Sequence, residues 1–396
     1  MNLVLGTNHL GLGGSESYLL TVAEQLDRLG HGVVLYAPEQ GPGVALARER
    51  GLVAVGEGEL PDDCDAALVQ DAGVSLQLAE RFPATPQLFV AHSESFDLQA
   101  PPQLDGLVGA VVALNDRVAA RMRSFATAVE VVRLRQPIDT ERFTSHTPLP
   151  EVARRALLLS NTPNADRLGM LETACREAGL ELVRLGGLEG QTTDPRSALA
   201  GAEIVIGYGR SILEAMACGR AAYVYDWNGG EGWMTADAYA AIEADGIAGR
   251  SGREIVDAER LAADLRGYEA SMGPVNHDLV IAGHRANVHA QELLELLRRL
   301  AAPAARPRGP LEEMARLVRM EWRARAENHS LVHENAHLRD LLGLSEAEAE
   351  AAREDVRREA RRAGDLVRAY EQSTSWSLTA PLRAAGRALR RRRERP

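Results

Sequence analysis

Short apolar runs alternate with helical patterns along most of the chain, and this alternation limits the fold more than any other feature of the sequence. The first series of predicted strands is Leu3–Leu5, Val33–Tyr36, Ala66–Val69, Leu88–Val90, Val111–Leu114 and Val129–Leu134. The second series is Ala156–Leu159, Leu180–Leu185, Ile204–Ile206 and Ala221–Tyr225. Strands separated by helices form parallel sheets with crossover connections. The sequence therefore predicts an α/β fold with two Rossmann-like domains, residues 1–147 and 148–300, joined near Thr144–Pro150.

Composition narrows the classes of function. The 396 residues exceed an ordinary single domain, and a net charge of -11 disfavours general binding of nucleic acids. All 45 basic side chains are arginine, so a lysine Schiff base and a Walker A loop are excluded. The three scattered cysteines favour neither disulfides nor a zinc site, and no metal is expected. Without a secretory leader or an apolar run of the ~18 residues that span a membrane, we expect a cytoplasmic protein.

Beyond residue 300 the pattern changes. Residues 301–310 are rich in alanine and proline, as is typical of a linker. Residues 311–372 are predicted to be helical, with heptad a and d positions at Met314, Leu317, Ala324, Asn328, Leu331, Asn335, Leu338 and Leu342. Asparagine at a positions fixes the register of parallel dimers. The heptads predict a coiled-coil homodimer through residues 311–345; the alternative is a single amphipathic helix that folds back onto the body.

Residues 373–396 form a basic tail. Trp376 and several leucines stand near the arginine run Arg390–Arg393. This mixture suits the edge of an anionic membrane, so we expect peripheral contact with the inner face of the membrane. The alternative is a frayed basic tail without a partner.

The strongest local signal is the stretch of residues 207–226, which is typical of a tight turn, a helix and a buried strand. Gly207 and Gly209 let the chain turn after the preceding strand. Ser211 is expected to cap the helix, whose N-terminus attracts phosphate oxygens. Arg210 would add a forked donor there. This unit is therefore predicted to hold a phosphate-bearing ligand.

The unit, together with Gly13-Gly14-Ser15-Glu16 near the start, resembles the retaining nucleotide-sugar glycosyltransferases of family 4, which have the two-domain GT-B fold. The specific part is the run Glu-Ala-Met-Ala-Cys-Gly that begins at Glu214. The resemblance covers residues 1–300 and implies a nucleoside diphosphate sugar as donor, without a cofactor. We expect a cell-envelope glycan or a lipid-linked glycan as acceptor. In that family the matching glutamate binds the nucleotide ribose, and the resemblance implies the same role for Glu214.

Two elements of the first domain are expected to face the donor. Gly13 and Gly14 follow the first strand and open a helix, where bare amides can approach a phosphate. His92 ends the strand Gln87–Ala91. The family has a histidine at the corresponding place near the donor sugar, where it can donate a hydrogen bond to a hydroxyl or to the departing phosphate. The alternatives are a purely structural turn and a structural histidine.

The sequence departs from the family pattern in its charged residues. The first acid of the family's glutamate pair falls on Ile206. After the second domain's first strand the family places an arginine and a lysine against the diphosphate, whereas this chain offers only Arg167. Because a guanidinium grips phosphate with two nitrogens, Arg210 is expected to compensate for the missing charge.

Two more segments correspond to parts of the family's pattern. Residues 131–143 resemble its crossover into the second domain and are predicted to be a hinge region. Gly229, Gly230 and Glu231 stand where the family has a glycine-rich loop on the sugar pocket. Glu231 is the candidate for replacing the missing acid; the alternative is a simple surface loop.

These features together predict a glycosyltransferase, and two other functions remain open. A glycosyltransferase-like scaffold that has lost activity and works through its coiled coil is supported by the loss of the acid at Ile206. A nicotinamide-dependent oxidoreductase would share the Rossmann-like pattern. A dinucleotide fingerprint requires glycine where Glu16 stands, which argues against the second alternative.

Overall fold

The computed structural model describes residues 1–125, 129–144, 147–160, 165–186, 192, 194–226, 229–250, 257–300, 302, 310–342 and 346–371. The chain divides into two compact units, Met1–Glu321 and Trp322–Pro396. The first unit holds both large sheets. The predicted tail, residues 373–396, lies outside the described residues, and so does the predicted linker 301–310 except for Ala302 and Pro310.

Every predicted strand is present. The elements of the first series are β1 (Asn2–Gly6), β2 (His9–Leu10), α1 (Gly14–Arg28), β3 (Gly32–Tyr36), β4 (Glu39–Gln40), α2 (Gly43–Glu49), β5 (Val53–Val55), β6 (Ala66–Val69), α3 (Ala72–Arg81), β7 (Gln87–Ala91), a 3₁₀ turn at Asp97–Gln99, β8 (Ala110–Ala113), α4 (Asp116–Arg123) and β9 (Glu130–Arg133). The elements that follow are β10 (Arg155–Leu159), α5 (Ala165–Glu177), β11 (Glu181–Leu185), α6 (Arg196–Ala200), β12 (Ile204–Gly207), α7 (Arg210–Ala217), β13 (Ala221–Asp226), β14 (Gly229–Trp233), α8 (Ala236–Ala244), α9 (Ala258–Arg266), α10 (Met272–Gly283), α11 (Ala286–Arg299), α12 (Leu311–Leu342) and α13 (Glu346–Glu371).

The first half of the first unit is built around a seven-stranded parallel sheet in the order β5-β3-β1-β6-β7-β8-β9. One face packs against α1, α2 and α11, and the other packs against α3, α4 and the start of α12. Because helices cover both faces, the inner strands are apolar along their whole length. Their carboxyl ends meet at one edge of the sheet, where β1 and β7 lead into the glycine loop and into His92.

The second half is built around a five-stranded sheet in the order β11-β10-β12-β13-β14. Helices α5 and α9 cover one face, and α7, α8 and α10 cover the other. Four strands are parallel, but β14 pairs antiparallel with β13 at the edge. The predicted glycine-rich loop at Gly229–Trp233 is therefore an edge strand. Glycine-rich sequence has low strand propensity, and pairing with the open edge of β13 overrides it.

The chain crosses between the halves twice, and the two crossings lie side by side. The amide of Ile138 donates to the carbonyl of His284 at 2.7 Å, and the amide of Ala286 donates to the carbonyl of Ile138 at 2.9 Å. Ile138 and Phe143 already pack in the core of the second half. After the return crossing, α11 packs on the first half through Ala290, Leu293, Leu294, Leu296 and Leu297. An apolar pattern alone does not tell which core a segment covers, and the domain boundaries at 147 and 300 stay predictions.

The first turns of α12 also pack on the first half. Leu311 and Ala315 are buried, and Met314 and Val318 are partly buried in the same core cluster. This spacing is the 3.6-residue period of an amphipathic helix. Leu317, a predicted heptad position, is 45% exposed. The start of α12 thus matches the alternative of a helix folded onto the body, while the coiled coil stays a prediction. Among the described residues, no helix is both long and apolar enough to cross a membrane.

Candidate active site

Helix α7 begins directly after a glycine turn at the carboxyl end of β12. Gly209 is the N-cap residue with φ 58° and ψ −131°, a backbone conformation that side chains with a Cβ rarely adopt. Its amide donates to the carbonyl of Ile247 at 2.8 Å. The hydroxyl of Ser211 donates to the carbonyl of Tyr208 at 2.8 Å, so Ser211 does not cap the helix as predicted. The first turn of α7 has no side-chain cap, which leaves its amides for a ligand.

A cavity of about 270 Å³ lies between the two halves, at the N-terminus of α7. It is lined by residues of the glycine loop, α1, α2, the crossover and α7, among them Gly11, Leu12, Gly13, Gly14, Ser17, Thr21, Arg50, Arg142, Tyr208, Gly209, Arg210, Ser211 and Glu214. Six of the residues predicted to bind the donor therefore share one cavity: Gly13, Gly14, Gly209, Arg210, Ser211 and Glu214.

Arg210 and Glu214 form an ion pair on the cavity wall. Nε of Arg210 donates to Oε1 of Glu214 at 2.8 Å, and the two side chains are only 11% and 12% exposed. The guanidinium also donates to the hydroxyl of Thr21 and to the carbonyl of Pro137, each at 2.9 Å. Arg210 thus ties α7 to α1 and to the crossover. Three of its five N–H groups serve the protein, and two remain for other acceptors.

Burial controls the charge of Glu214. Loss of solvent raises the pKa of its carboxyl group, and the neighbouring charge and hydrogen bond of Arg210 oppose that rise. Among the described residues, no donor contacts the second carboxylate oxygen, Oε2. Glu214 lines the cavity, and a carboxylate oxygen without a donor there is able to accept hydrogen bonds from hydroxyl groups.

The glycine loop enters α1 with Gly13 as the N-cap residue and Gly14 as the first helical residue. A Cβ at Gly13 would collide with the carboxylate of Glu16, so a side chain there would require the Glu16 side chain to move. Gly14 is exposed and faces open space. The loop therefore presents bare backbone to the cavity, as predicted from its sequence.

His92 directly follows β7 and is held from two sides. Its Nε2 lies 2.7 Å from Oε1 of Gln70, whose amide nitrogen donates to the carbonyl of Ser15 at 3.2 Å. Since Gln70 presents its oxygen, Nε2 of His92 carries the proton and Nδ1 is an acceptor. The ring of Tyr18 packs edge-on at 5.0 Å. Burial, and secondarily Arg210, lower the pKa of His92 to about 3, so the imidazole is neutral. His92 is absent from the described residues that line the cavity.

The remaining predicted site residues lie elsewhere. Arg167 is in the first turn of α5, and Gly229, Gly230 and Glu231 are in the edge strand β14. Oε2 of Glu231 accepts the amide of Gly249 at 3.2 Å. None of the four is among the described residues that line the cavity. Ile206, at the place of the family's first acid, is fully buried in the core.

Two arginines that the sequence did not single out line the cavity from the side of α1 and α2. Nη2 of Arg142 donates to both carboxylate oxygens of Glu24, at 2.9 and 3.0 Å. Nη1 of Arg50 lies 3.6 Å from Oε2 of the same carboxylate. Glu24 and Arg142 are 118 residues apart, and no local spacing in the sequence could have paired them.

A second group of ion pairs joins the halves outside the cavity wall. Nη2 of Arg133 donates to Oε1 of Glu243 at 2.7 Å. Arg117 donates to Oε2 of Glu94 at 2.7 Å and to Oδ1 of Asp245 at 2.8 Å. The Arg133–Glu243 and Arg117–Asp245 pairs join the two halves, as the contact of Arg210 with Thr21 does, whereas Arg117–Glu94 lies within the first half.

Comparison with protein-family models finds no match. Comparison with curated proteins also finds none. Among solved structures, Anabaena HepE in complex with UDP and glucose is similar, with a TM-score of 0.56, 12% identity, and coverage of 76% of this chain and 100% of that chain. A glycosyltransferase from Rickettsia africae has a TM-score of 0.51 and 14% identity, with coverage of 75% and 98%. An alpha-glucosyltransferase in complex with UDP and a 13-mer DNA containing a HMU base has a TM-score of 0.52 and 10% identity, with coverage of 76% and 100%. At these identities the similarity concerns the fold. The chain has the GT-B fold, with two Rossmann-like halves and a helical C-terminal extension.

Proposed function

We propose that the protein is a glycosyltransferase of the family 4 type, which transfers a sugar from a nucleoside diphosphate sugar to a cell-envelope glycan or a lipid-linked acceptor. The observation that carries this proposal is the cavity itself, because the glycine loop, the uncapped start of α7 and Glu214 all line it. Two of the similar structures, HepE and the alpha-glucosyltransferase, hold UDP. Their fold supports a nucleotide donor for this chain.

The donor is assigned to groups that this chain already presents. The diphosphate meets the amides at the start of α7 and the bare backbone at Gly13 and Gly14. Oε2 of Glu214 accepts hydrogen bonds from the ribose hydroxyls, while Oε1 keeps its contact with Arg210 at 2.8 Å. Arg210 therefore fixes the orientation of the ribose-binding carboxylate and adds positive charge beside the phosphates.

The chemical step breaks the bond between the sugar's anomeric carbon and the diphosphate oxygen. The bonding electrons leave with the diphosphate, and an acceptor hydroxyl forms the new glycosidic bond while its proton is released. Negative charge grows on the diphosphate as this bond breaks. The positive end of α7 and the arginines of the cavity wall stabilise that charge, so the scheme requires no metal ion.

His92 is assigned to the sugar side of the reaction. Its Nε2–H is engaged by Gln70, so the free atom is the unprotonated Nδ1. We infer that Nδ1 accepts a hydrogen bond from a sugar hydroxyl, in contrast to the donor role expected from the family. Arg167, Gly229, Gly230 and Glu231 receive no role in this scheme. Like His92 they are absent from the described cavity lining, but His92 lies close enough to the cavity residue Arg210 for that charge to lower its pKa.

A second candidate function is a glycosyltransferase-like scaffold that does not catalyse transfer. The observation that favours it is Ile206, which places a buried apolar side chain where the family carries its first acid. Such a protein would still bind a nucleotide sugar. The two functions therefore differ in turnover and not in donor binding.

A thermal-shift panel of UDP-, GDP-, ADP- and TDP-sugars tests the proposal, because a ligand that binds the native state raises the unfolding temperature. We expect one nucleotide class to raise it in the wild type and Glu214→Gln to lose most of the shift. Glu243→Gln is the matched control, since Glu243 is also a buried, arginine-paired glutamate but does not line the cavity. No shift with any donor would reject donor binding. A shift without transfer or hydrolysis would favour the scaffold.

A further inference from the structure

The first observation concerns Arg50, the C-cap residue that directly follows α2. Its side chain is 12% exposed and lines the cavity. Its nearest carboxylate oxygen, on Glu24, is 3.6 Å away, which is too far for a hydrogen bond. Its Nε is buried and has no partner among the described residues. Within the described part of the chain this guanidinium has lost water and gained only the long ion pair with Glu24, which is energetically costly.

The second observation concerns Arg142, which follows the first crossing and also lines the cavity. Only its Nη2 is engaged, by Glu24. Its Nε is buried without a hydrogen-bond partner and lies 3.7 Å from Oδ2 of Asp139. Among the described residues, no acceptor contacts its Nη1. Arg142 thus keeps several N–H groups beside the cavity that no described residue satisfies.

The third observation is the distribution of charge around the cavity. Arg50 and Arg142 are close enough that burial and the charge of Arg142 together lower the pKa of the Arg50 guanidinium. On the other wall, Arg210 gives three donors to protein groups. The chain contains no lysine that could supply a further cation. Arg210 keeps two N–H groups for other acceptors, and the remaining unsatisfied cationic donors of the described cavity wall belong to Arg50, which follows α2, and to Arg142 of the crossover.

We propose that Arg50 and Arg142 bind the diphosphate of the donor from the side of α1 and α2, while the amides of α7 bind it from the second half. This inference rests on the proposed function and names residues outside the family's usual phosphate-binding segment. Glu24 acts as a positioning residue, because its carboxylate holds Arg142 and attracts Arg50. One ligand would then be bound by both halves.

The experiment compares three arginines that share one carboxylate. Arg28 donates to Oε1 of Glu24 at 2.9 Å, as Arg142 does, but it is not among the described residues that line the cavity. Arg50→Gln, Arg142→Gln and the control Arg28→Gln are titrated calorimetrically with the best nucleoside diphosphate of the panel, with its unphosphorylated nucleoside and with inorganic pyrophosphate. Arg50→Lys and Arg142→Lys keep the charge and serve if a glutamine variant fails to fold.

We expect Arg50→Gln and Arg142→Gln each to weaken the nucleoside diphosphate and pyrophosphate by about 10-fold or more, since each removes charge-assisted hydrogen bonds. The nucleoside should change by less than about 2-fold, and Arg28→Gln should leave all three ligands within that range. The lysine variants should fall between wild type and glutamine, because lysine keeps charge but not the fork.

Two results would overturn the assignment of these arginines. The first is that Arg50→Gln and Arg142→Gln bind the nucleoside diphosphate and pyrophosphate as tightly as the wild type does. The other is an equal loss in Arg28→Gln, which would trace the effect to Glu24 and not to the cavity. If wild type binds no nucleotide, the proposed function fails separately, and the pyrophosphate titration still decides whether Arg50 and Arg142 form an anion site.

Discussion

The ion pair between Arg210 and Glu214 predicts strong coupling between two residues one helical turn apart. Both side chains are close to 90% buried, and Arg210 also donates to Thr21 and Pro137. Removing one partner of a buried pair costs about 3–5 kcal/mol, because the other charge stays buried alone. Arg210→Met should therefore destabilise the protein by about this amount. The double variant Arg210→Met/Glu214→Gln should recover part of the loss, with a coupling energy of about 2 kcal/mol.

The measurement is a double-mutant cycle in urea, with circular dichroism and tryptophan fluorescence as two probes whose transitions must coincide. The matched control is the pair Arg260 and Asp264, which has the same i,i+4 spacing and a 3.2 Å contact but side chains that are 62% and 27% exposed. Exposed helix pairs couple by only about 0.3–0.5 kcal/mol. If the buried pair couples no more strongly than this control, the ion pair does not hold the cavity wall as described.

The same cycle has a pH dependence of known sign. Burial raises the pKa of Glu214 in the folded state, and Arg210 opposes that rise. Without Arg210 the folded pKa rises further above the unfolded value. A carboxyl group with a raised folded pKa destabilises the protein as pH increases through that range. The deficit of Arg210→Met should be smallest in acid, where Glu214 is protonated, and should grow towards neutral pH. A deficit independent of pH would contradict this account.

Three further predictions concern the histidine, the extension and the turn. His92→Ala should lower turnover by roughly 10²-fold with little change in nucleotide affinity, and near-normal turnover would leave His92 a structural role. Because the pKa of His92 is about 3, the wild-type rate should show no His92 titration between pH 5 and 8. Deleting residues 322–396 should leave the unfolding temperature unchanged, and it should reduce either the oligomer size in light scattering or the fraction that sediments with anionic liposomes. Deleting residues 311–396 should also lower the unfolding temperature, because Leu311 and Ala315 are buried on the first half. Unchanged oligomer size and liposome binding would remove the extension from the functional account. Gly209→Ala should cost about 1–3 kcal/mol of unfolding free energy, because φ is 58° there. Gly169→Ala, at an exposed position in α5, should cause no loss, and a Gly209→Ala variant as stable as wild type would contradict the prediction.

The sheets could be predicted from the sequence because their strands are buried on both faces. Runs such as Ala110–Ala113 are apolar at every position, which leaves little choice of structure. The place of His92 after β7 and the turn at Gly209 follow from the same reasoning, since strand ends and glycines are visible in the sequence. The cavity therefore collects most of the residues that the turn and glycine motifs predicted.

The hydrogen-bond partners of the site residues could not be predicted from the sequence, because they depend on tertiary contacts. Glu24 is the clearest example, because it joins Arg28 within α1 to Arg142, 118 residues away. The tautomer of His92 depends on Gln70, which no motif marks. Ser211 was predicted as a cap, but its hydroxyl bonds the preceding carbonyl of Tyr208, and Gly209 takes the cap position. In each case the competing partner comes from packing and not from local spacing.

The return of α11 to the first half has a consequence for how the protein is made. The first sheet is complete when its last strand, β9, ends at Arg133. Helix α11, which covers one face of that sheet together with α1 and α2, begins only at Ala286. Ribosomes add roughly 5–20 residues per second. The apolar surface that Leu293 and Leu297 cover would therefore stay exposed for on the order of 10 s after β9 is synthesised. During that interval the second half emerges and folds beside an unfinished neighbour. A gene cut at any single point between the halves would therefore encode a first half without α11 and without the start of α12.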